Sequence, residues 1–293
     1  MCERFMIRYL QRKYINIDKY DACIQNAVNS RIYALSYYLD IVADNWDALI
    51  LDDYKAVMPL PWRSKYFIKY IYPPCWTQQL GVFSIHNFDS TLVELFIKSI
   101  PKKFLKTTIQ LNNECNFLHK TKKKNNYLLF LNKDYFDIKS SYNKNRKRVL
   151  KKFNQLGIVI QENVETKNII TLFKENYKEE LNINLTDYLK LEKLASEKKL
   201  NPITLGVYNE NQELISGSLF FRDEKRIYYV FSANNEQGNK TQGNTAILDS
   251  IIQSYSNTNY ILDFEGSMHP GIASFFKSFG SELETYYLYA KKL

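Results

Sequence analysis

The chain has 293 residues, 40 Lys and Arg against 31 Asp and Glu, a formal charge of +9, and is 45% hydrophobic and 15% aromatic. A normal hydrophobic fraction at this length excludes a disordered tail or a collagen-like rod and allows one large domain or two of ordinary size. No apolar run approaches the roughly 18 residues that a membrane-spanning helix needs, and the N-terminal MCERFMIRYLQRKY has no apolar core, so neither a membrane span nor a signal peptide is expected and the expected location is cytoplasmic.

From the N-terminus, Ile17 to Asn26 and Ile32 to Val42 read as helices, with Tyr33, Leu35, Tyr38 and Leu39 recurring on helical faces. Trp46 to Leu51 reads as a strand, Asp52-Asp53 as a turn and Tyr54 to Pro61 as the partner strand, whose prolines Pro59 and Pro61 argue that it ends or lies at an edge there. Tyr66 to Tyr72 and Leu80 to Ser84 are further strands. Ser90 to Ile100 is a helix capped by Asp89 or Ser90 and stopped by Pro101. Thr107 to Leu111 and Asn126 to Leu131 complete a mixed first half, and Lys120 to Lys124 reads as a solvated hairpin turn.

Ser140 to Leu156 reads as a helix that ends at Gly157, a good residue for a left-handed stop. Ile158 to Glu162 is a strand, and Thr166 to Leu181 and Leu185 to Lys199 are helices. Pro202 to Asn209 and Glu213 to Arg222 are strands joined at a polar turn, followed by a third strand, Arg226 to Ser232. A stretch rich in Asn, Gln and Gly precedes the helix Thr245 to Ser256. Tyr260 to Phe264 is a strand, Gly271 to Phe279 a short helix and Glu284 to Ala290 a last strand. The pattern predicts an α/β chain in the mixed α+β sense, with two units of similar size at 1–137 and 138–293, the second led by the basic helix 140–156.

Charge is concentrated rather than spread. Residues 1–137 carry 19 basic and 13 acidic side chains, residues 138–157 carry 7 basic and none acidic, and the remainder carry 14 basic and 18 acidic. The excess points to one local basic surface. The cysteines Cys2, Cys23, Cys75 and Cys115 and the histidines His86, His119 and His269 are dispersed without metal-ligand spacing, so no zinc site and no disulfide framework is expected.

The order from residue 203 onward is three strands in succession, a Gly-containing loop, a helix, a strand, a short helix and a strand. That order resembles the core of GNAT-type acyltransferases. Asp263-Phe-Glu-Gly-Ser267 followed by Pro270-Gly-Ile-Ala-Ser-Phe-Phe-Lys-Ser-Phe-Gly280 resembles the C-terminal signature of FemAB-like proteins. In the first half, Trp46-Asp-Ala-Leu-Ile, Ala56-Val-Met-Pro-Leu-Pro-Trp62 and Thr77-Gln-Gln-Leu-Gly81 are similar to bacterial members of the same branch. The resemblance implies two tandem GNAT-like units, each a mixed, mostly antiparallel sheet flanked by helices. It also implies transfer of an acyl or aminoacyl group, and the founding members add amino acids to peptidoglycan precursors.

The resemblance places Lys277 beside the reacting carbonyl, where an ammonium would stabilise an oxyanion; the alternative is a surface lysine on an amphipathic helix. Asp263 and Glu265 are candidates to take a proton from an attacking amine, or else acids that hold the turn at Gly266. Phe231, Ser232, Gly238, Lys240, Gly243 and Asn244 fall where GNAT enzymes bind the donor. The stretch 234–245 lacks their Q/R-x-x-G-x-G/A spacing, which cradles the coenzyme A pyrophosphate on backbone amides. The departure leaves aminoacyl-tRNA as a donor beside acyl-CoA, neither being permanently bound. On the basic helix, Lys144, Arg146, Arg148 and Lys151 are candidates for an anionic ligand, with Lys144, Arg148 and Lys151 on one face, unless the run is simply a solvated face. Tyr37, Tyr38, Trp62, Tyr70, Tyr72 and Trp76 line an acceptor cleft or belong to the core.

The expected function is therefore an acyl or aminoacyl transferase, with acyl-CoA or aminoacyl-tRNA as donor. The acceptor is a small molecule or a cell-wall precursor; tRNA is a partner only for the second donor, and DNA is not one. The alternative is a non-catalytic GNAT-fold module that binds an anionic ligand.

Overall fold

A computed structural model describes residues 6–115, 121–177 and 183–291. Cys2, His119, Lys120 and the end of the helix expected to reach Leu181 lie outside the described residues. In chain order the elements are β1 (Ile7–Gln11), α1 (Ile17–Asn26), α2 (Ser36–Val42), β2 (Asn45–Leu51), β3 (Ala56–Lys65), β4 (Ile68–Ile71), β5 (Phe83–Ser84), α3 (Ser90–Lys98), β6 (Phe104–Leu111) and β7 (Thr121–Phe130). There follow α4 (Tyr135–Ser140), α5 (Lys144–Gln155), β8 (Ile160–Glu162), α6 (Thr166–Asn176), α7 (Leu185–Ser196), β9 (Ile203–Tyr208), β10 (Leu214–Arg222), β11 (Arg226–Asn234), α8 (Glu236–Thr241), α9 (Gly243–Tyr255), β12 (Ile261–Asp263), α10 (Pro270–Lys277) and β13 (Glu282–Lys291).

The chain divides into one unit of residues 1–124 plus 285–293 and a second of residues 125–284. This differs from the expected boundary at both ends. The first unit takes back the end of the chain because β13 pairs antiparallel with β6, Tyr287 opposite Leu111 and Lys291 opposite Thr107.

In the first unit the sheet runs β1-β2-β3-β4-β6-β13, with β5 against β3. Helix α1 starts where the sequence places it, because the Asn16 side chain accepts from the Lys19 amide at 3.1 Å and Tyr20, Cys23 and Ile24 recur on one buried face. The helix expected over 32–42 is broken. Ile32–Ala34 forms a 3-10 turn, Leu35 is extended, and α2 begins at Ser36, whose amide and hydroxyl donate to Asp21 at 2.8 and 2.6 Å. Tyr38 and Tyr72 are buried core residues of this unit.

In the second unit β9, β10 and β11 form an antiparallel meander, β8 adds to β9, and β7 lies antiparallel to β12. The one parallel pair, β11 with β12, needs a crossover, and α8 and α9 supply it. That pair joins only Arg226 to Ile261, Ile227 to Leu262 and Tyr228 to Asp263. Strand β11 continues to Asn234, whereas the chain after β12 turns away through Glu265 and Gly266, both at positive φ. Glycine is required at 266, since a Cβ there would sit 2.1 Å from the Asn125 carbonyl oxygen. The two strands therefore part beyond Tyr228. The core packs Leu150 and Phe153 of α5, Ile247, Leu248 and Ile251 of α9, and Phe276 and Phe279 against the sheet.

Candidate active site

A cleft of about 300 Å³ opens where β11 runs on past β12. Tyr229, Ser232 and Asn234 line it from β11, Gly238 and Asn239 from α8, Gln242, Asn244 and Thr245 from the start of α9, and Ile272, Phe275 and Phe276 from α10. Its walls thus combine aromatic surface with amide and hydroxyl groups, the usual make-up of a small-molecule site. The first unit holds a wider groove of about 760 Å³ beside α3, lined largely by apolar groups such as Phe88, Leu92 and Leu95. The smaller cleft is the better candidate because polar groups converge on it and a buried cation stands behind it.

That cation is Arg146. Residues Arg146, Leu150 and Phe153 follow a spacing of four and three along α5 and form its buried stripe. Arg146 is 4% exposed, and its guanidinium lies against the rings of Phe275 and Phe279, 4.5 and 4.9 Å from their centroids. Its Nε donates to the Ser278 hydroxyl at 2.9 Å and its Nη1 donates to the Thr245 hydroxyl oxygen. Both hydrogen-bond partners are neutral. Burial pulls the guanidinium down to about 10, against the opposing influence of Tyr142, so it is still charged at neutral pH. Since Arg146 occupies a lone pair of the Thr245 oxygen, the hydroxyl hydrogen is left to donate, and here it donates to Gln242 Oε1 across a long 3.5 Å.

Of the six residues expected at the donor site, Ser232, Gly238 and Asn244 line the cleft. Phe231 is buried and packs its ring 4.9 Å from that of Phe173. Lys240 is exposed and reaches Glu236 at 2.6 Å, one turn back on α8. Gly238 and Gly243 are glycine for closeness to β10: a Cβ would lie 2.0 Å from the Ile215 oxygen in the first case and 2.2 Å from Ser216 Oγ in the second. The amides of this region are partly spent within it. The Gly238 amide donates to Asn235 Oδ1 at 2.8 Å, and the amides of Thr245 and Ala246 both reach the Gln242 carbonyl. Residues 236–241 form the short helix α8.

The acid candidates sit elsewhere. Asp263 is fully buried; its carboxylate accepts from Arg226 at 2.9 Å, Asn126 Nδ2 at 3.0 Å and the Glu265 amide at 3.0 Å. Glu284 meets the same arginine at 3.4 Å and the same asparagine at 3.0 Å. Burial alone would lower Arg226, but Asp263, Tyr228 and Glu284 outweigh it and hold the guanidinium well above its ordinary value. Asp263 is thus the centre of an ion cluster, and Glu265 is half-buried at a left-handed turn, with φ of 55°. Neither lines the cleft. Lys277 is exposed on α10, with its ammonium 5.7 Å from the Tyr127 ring, and is also absent from the lining. Lys144, Arg148 and Lys151 are exposed on the outer face of α5, so of the four basic candidates only Arg146 points inward.

Sequence reasoning missed Tyr229, Asn234, Gln242, Thr245 and Phe275. The signal for Arg146 as the inward member was legible, because an arginine in register with Leu150 and Phe153 occupies an apolar position. Burial pushes the Tyr229 hydroxyl up to about 12, against hydrogen bonds from Ser232 and Ser218, so it stays protonated at neutral pH. Burial likewise pushes the thiols of Cys23 and Cys115 up to about 12, which makes poor nucleophiles of both. Among the described residues no cluster of His, Cys, Asp and Glu could hold a metal ion, and no helix is long and apolar enough to cross a membrane.

No family model matches the chain, and no curated protein matches it by sequence. Solved structures do. The crystal structure of FemX superposes with a TM-score of 0.67 at 11% identity, covering 96% of each chain. A conserved protein of unknown function from Bacteroides thetaiotaomicron gives 0.64 at 10% identity over 98% of this chain and 100% of its own. L-PGS from Bacillus licheniformis gives 0.56 at 12% identity over 94% and 91%. At such identities the likeness is one of fold, and the fold is the FemAB-like, GNAT-type arrangement that the C-terminal segment of the sequence resembles.

Proposed function

We propose that the chain is an acyl or aminoacyl transferase whose donor ester or thioester lies in the cleft between the end of β11, the start of α9 and α10. One observation carries the reading: a buried guanidinium without an acidic partner polarises Thr245 at the wall of that cleft. A hydroxyl whose oxygen already accepts from a cation is a better donor to charge developing on a carbonyl oxygen, the largest single contribution in most acyl transfers. Ser232 and Asn234 add polar groups on the opposite wall, and Ile272, Phe275 and Phe276 give an apolar bed for the acyl chain.

Among the described residues the lining contains no carboxylate, histidine or lysine, and Tyr229 is too weak an acid to give a phenolate near neutrality. An acceptor amine would enter neutral and lose its proton to water or to the leaving group. Positioning and oxyanion stabilisation then supply the rate, with Lys277, Asp263 and Glu265 outside the reacting shell. The partly spent amides of α8 and α9 favour aminoacyl-tRNA over acyl-CoA, because a pyrophosphate finds fewer backbone donors. The same lack of an ionisable group in the cleft favours the second reading, a binding module for an anionic ligand without turnover.

The discriminating experiment follows release of deacylated donor from labelled aminoacyl-tRNA and from acyl-CoA, with a panel of amine and hydroxyl acceptors. Transfer by the wild type that Thr245→Val reduces by about 100-fold or more supports the transferase. Donor binding with no product for any acceptor supports the module.

A further inference from the structure

The first unit carries a feature unconnected with the cleft. Strand β3 runs past the start of β2: Trp62 still faces Asn45, but Arg63, Ser64 and Lys65 pair only with β4. The connection is the two-residue turn Tyr66-Phe67, with Lys65 opposite Ile68 and φ of 50° and 63° at its two residues. Such a turn is the habitual place of Asn-Gly, since a side chain with bulk is strained at positive φ. Here both places hold aromatics. Neither is buried: Tyr66 is 83% exposed, with the Lys65 ammonium over its ring at 5.4 Å, Phe67 is fully exposed and Ile68 is 40% exposed. The hairpin thus bears backbone strain at Tyr66 and Phe67 and forgoes burial at these two residues and at Ile68.

Around this apolar tip lies an acid-free cationic ring. No Asp or Glu occurs in 62–72 or 101–111, whereas these segments hold Arg63, Lys65, Lys69, Lys102, Lys103 and Lys106. Parallel pairing of β4 with β6 sets Lys69 opposite Phe104, which brings Lys102 and Lys103 to the hairpin's end of the sheet, with exposed Leu105 beside them. Two of the six cations are balanced: Arg63 by Asp44 at 3.1 Å, and Lys103 through Tyr9, whose hydroxyl bonds Asp47. Burial lowers the Lys103 ammonium below its usual value; Asp47 opposes this and the neighbouring Lys69 adds to it.

We propose that the β3–β4 hairpin docks on an anionic lipid surface, with Phe67 and Ile68 entering the headgroup region and Lys65, Lys69, Lys102 and Lys106 facing the lipid charges. An apolar tip ringed by lysines matches the layered chemistry of that interface, with hydrocarbon below and anionic headgroups above. A single-stranded RNA would instead favour aromatics laid flat along a groove, and a protruding Phe-Ile apex offers no such platform.

The test is co-sedimentation of the full chain with vesicles of phosphatidylglycerol and phosphatidylcholine, against phosphatidylcholine alone. Wild-type protein should bind only the anionic vesicles, and high salt should release it. The double variant Tyr66→Asn, Phe67→Gly should lose vesicle binding while its heat midpoint stays the same or rises, because the turn is relieved of strain. Lys65→Glu with Lys69→Glu should weaken binding by at least about tenfold. No partition of wild type, or undiminished binding by the Asn-Gly variant, overturns the proposal. Tighter binding to bulk tRNA than to anionic vesicles, lost with the same variants, reassigns the surface to RNA and equally overturns it.

Discussion

Two arginines are buried in the second unit, and they are built in opposite ways. Arg226 stands at the start of β11 among carboxylates: Asp263 at 2.9 Å and Glu284 at 3.4 Å, tied together by Asn126. Its charge is matched, and its acids hold it above its ordinary value. Arg146 on α5 has two hydroxyls and two phenyl rings, and burial pulls it down. The first arrangement locks strands together. The second keeps an unneutralised charge next to a cleft, where a ligand that carries or develops negative charge gains from it. The structural and the functional cation are told apart by their partners, since both are buried.

The largest expected effect breaks the first arrangement. Arg226→Met strands two carboxylates in the interior and should cost about 3–5 kcal/mol, read as a lowered urea midpoint. Adding Asp263→Asn and Glu284→Gln should recover part of that loss. Next comes the second arrangement, where stability and activity should separate. Arg146→Met replaces a charge desolvated without an acid by an apolar side chain of similar length, so urea melts should move by no more than about 1 kcal/mol. Donor turnover should nevertheless fall as far as in Thr245→Val.

A finer test uses pH. A base whose folded-state pKa is lowered is penalised in its charged form, so its cost is full below about 10 and fades as pH rises from there toward the ordinary arginine range. The stability of the wild type relative to Arg146→Met should therefore climb through that window. A flat difference would mean that water reaches the guanidinium. The smallest effect concerns Lys240, whose exposed ion pair with Glu236 should leave both stability and donor binding unchanged in Lys240→Ala, read as equal heat midpoints with and without donor.

Much of the fold was legible because local signals agreed with each other. The helix read over 17–26 is α1 with the same bounds, and the polar turn between β9 and β10 marked a hairpin. Strand β1 went unread because it is only five residues long, Ile7-Arg-Tyr-Leu-Gln11, none of them fully buried, and it lies among further charges. Helix α8 was hidden by a composition of Asn, Gln, Gly and Lys with no apolar period; its N-terminus rests on Asn235 and its glycine on contact with β10. The helix expected over 140–156 is α5, which starts only at Lys144 because Asn143 caps it by accepting from the Arg146 amide, while α4, ending at Ser140, went unread.

The candidate site was legible in place but not in person. The segment from β11 to α10 was the right stretch, yet residue types alone cannot say which charges face inward. Asp263 and Arg226 are 37 positions apart, and only the parallel register of β11 with β12 brings them together. Lys277 follows Phe276 on α10, and one step along a helix turns a side chain by about 100°, from core to solvent.

The central claim is that the cleft beyond Tyr228 holds an acyl donor. It is tested most directly by heating the wild type and a Ser232→Trp variant, whose indole fills the cleft, with aminoacyl-tRNA and with acyl-CoA. Ligand at a hundredfold excess over Kd should stabilise the native wild type by about 2.7 kcal/mol. The midpoint should rise for the wild type with at least one donor and should not rise for Ser232→Trp. No shift with any donor, or an equal shift in both proteins, would contradict the claim.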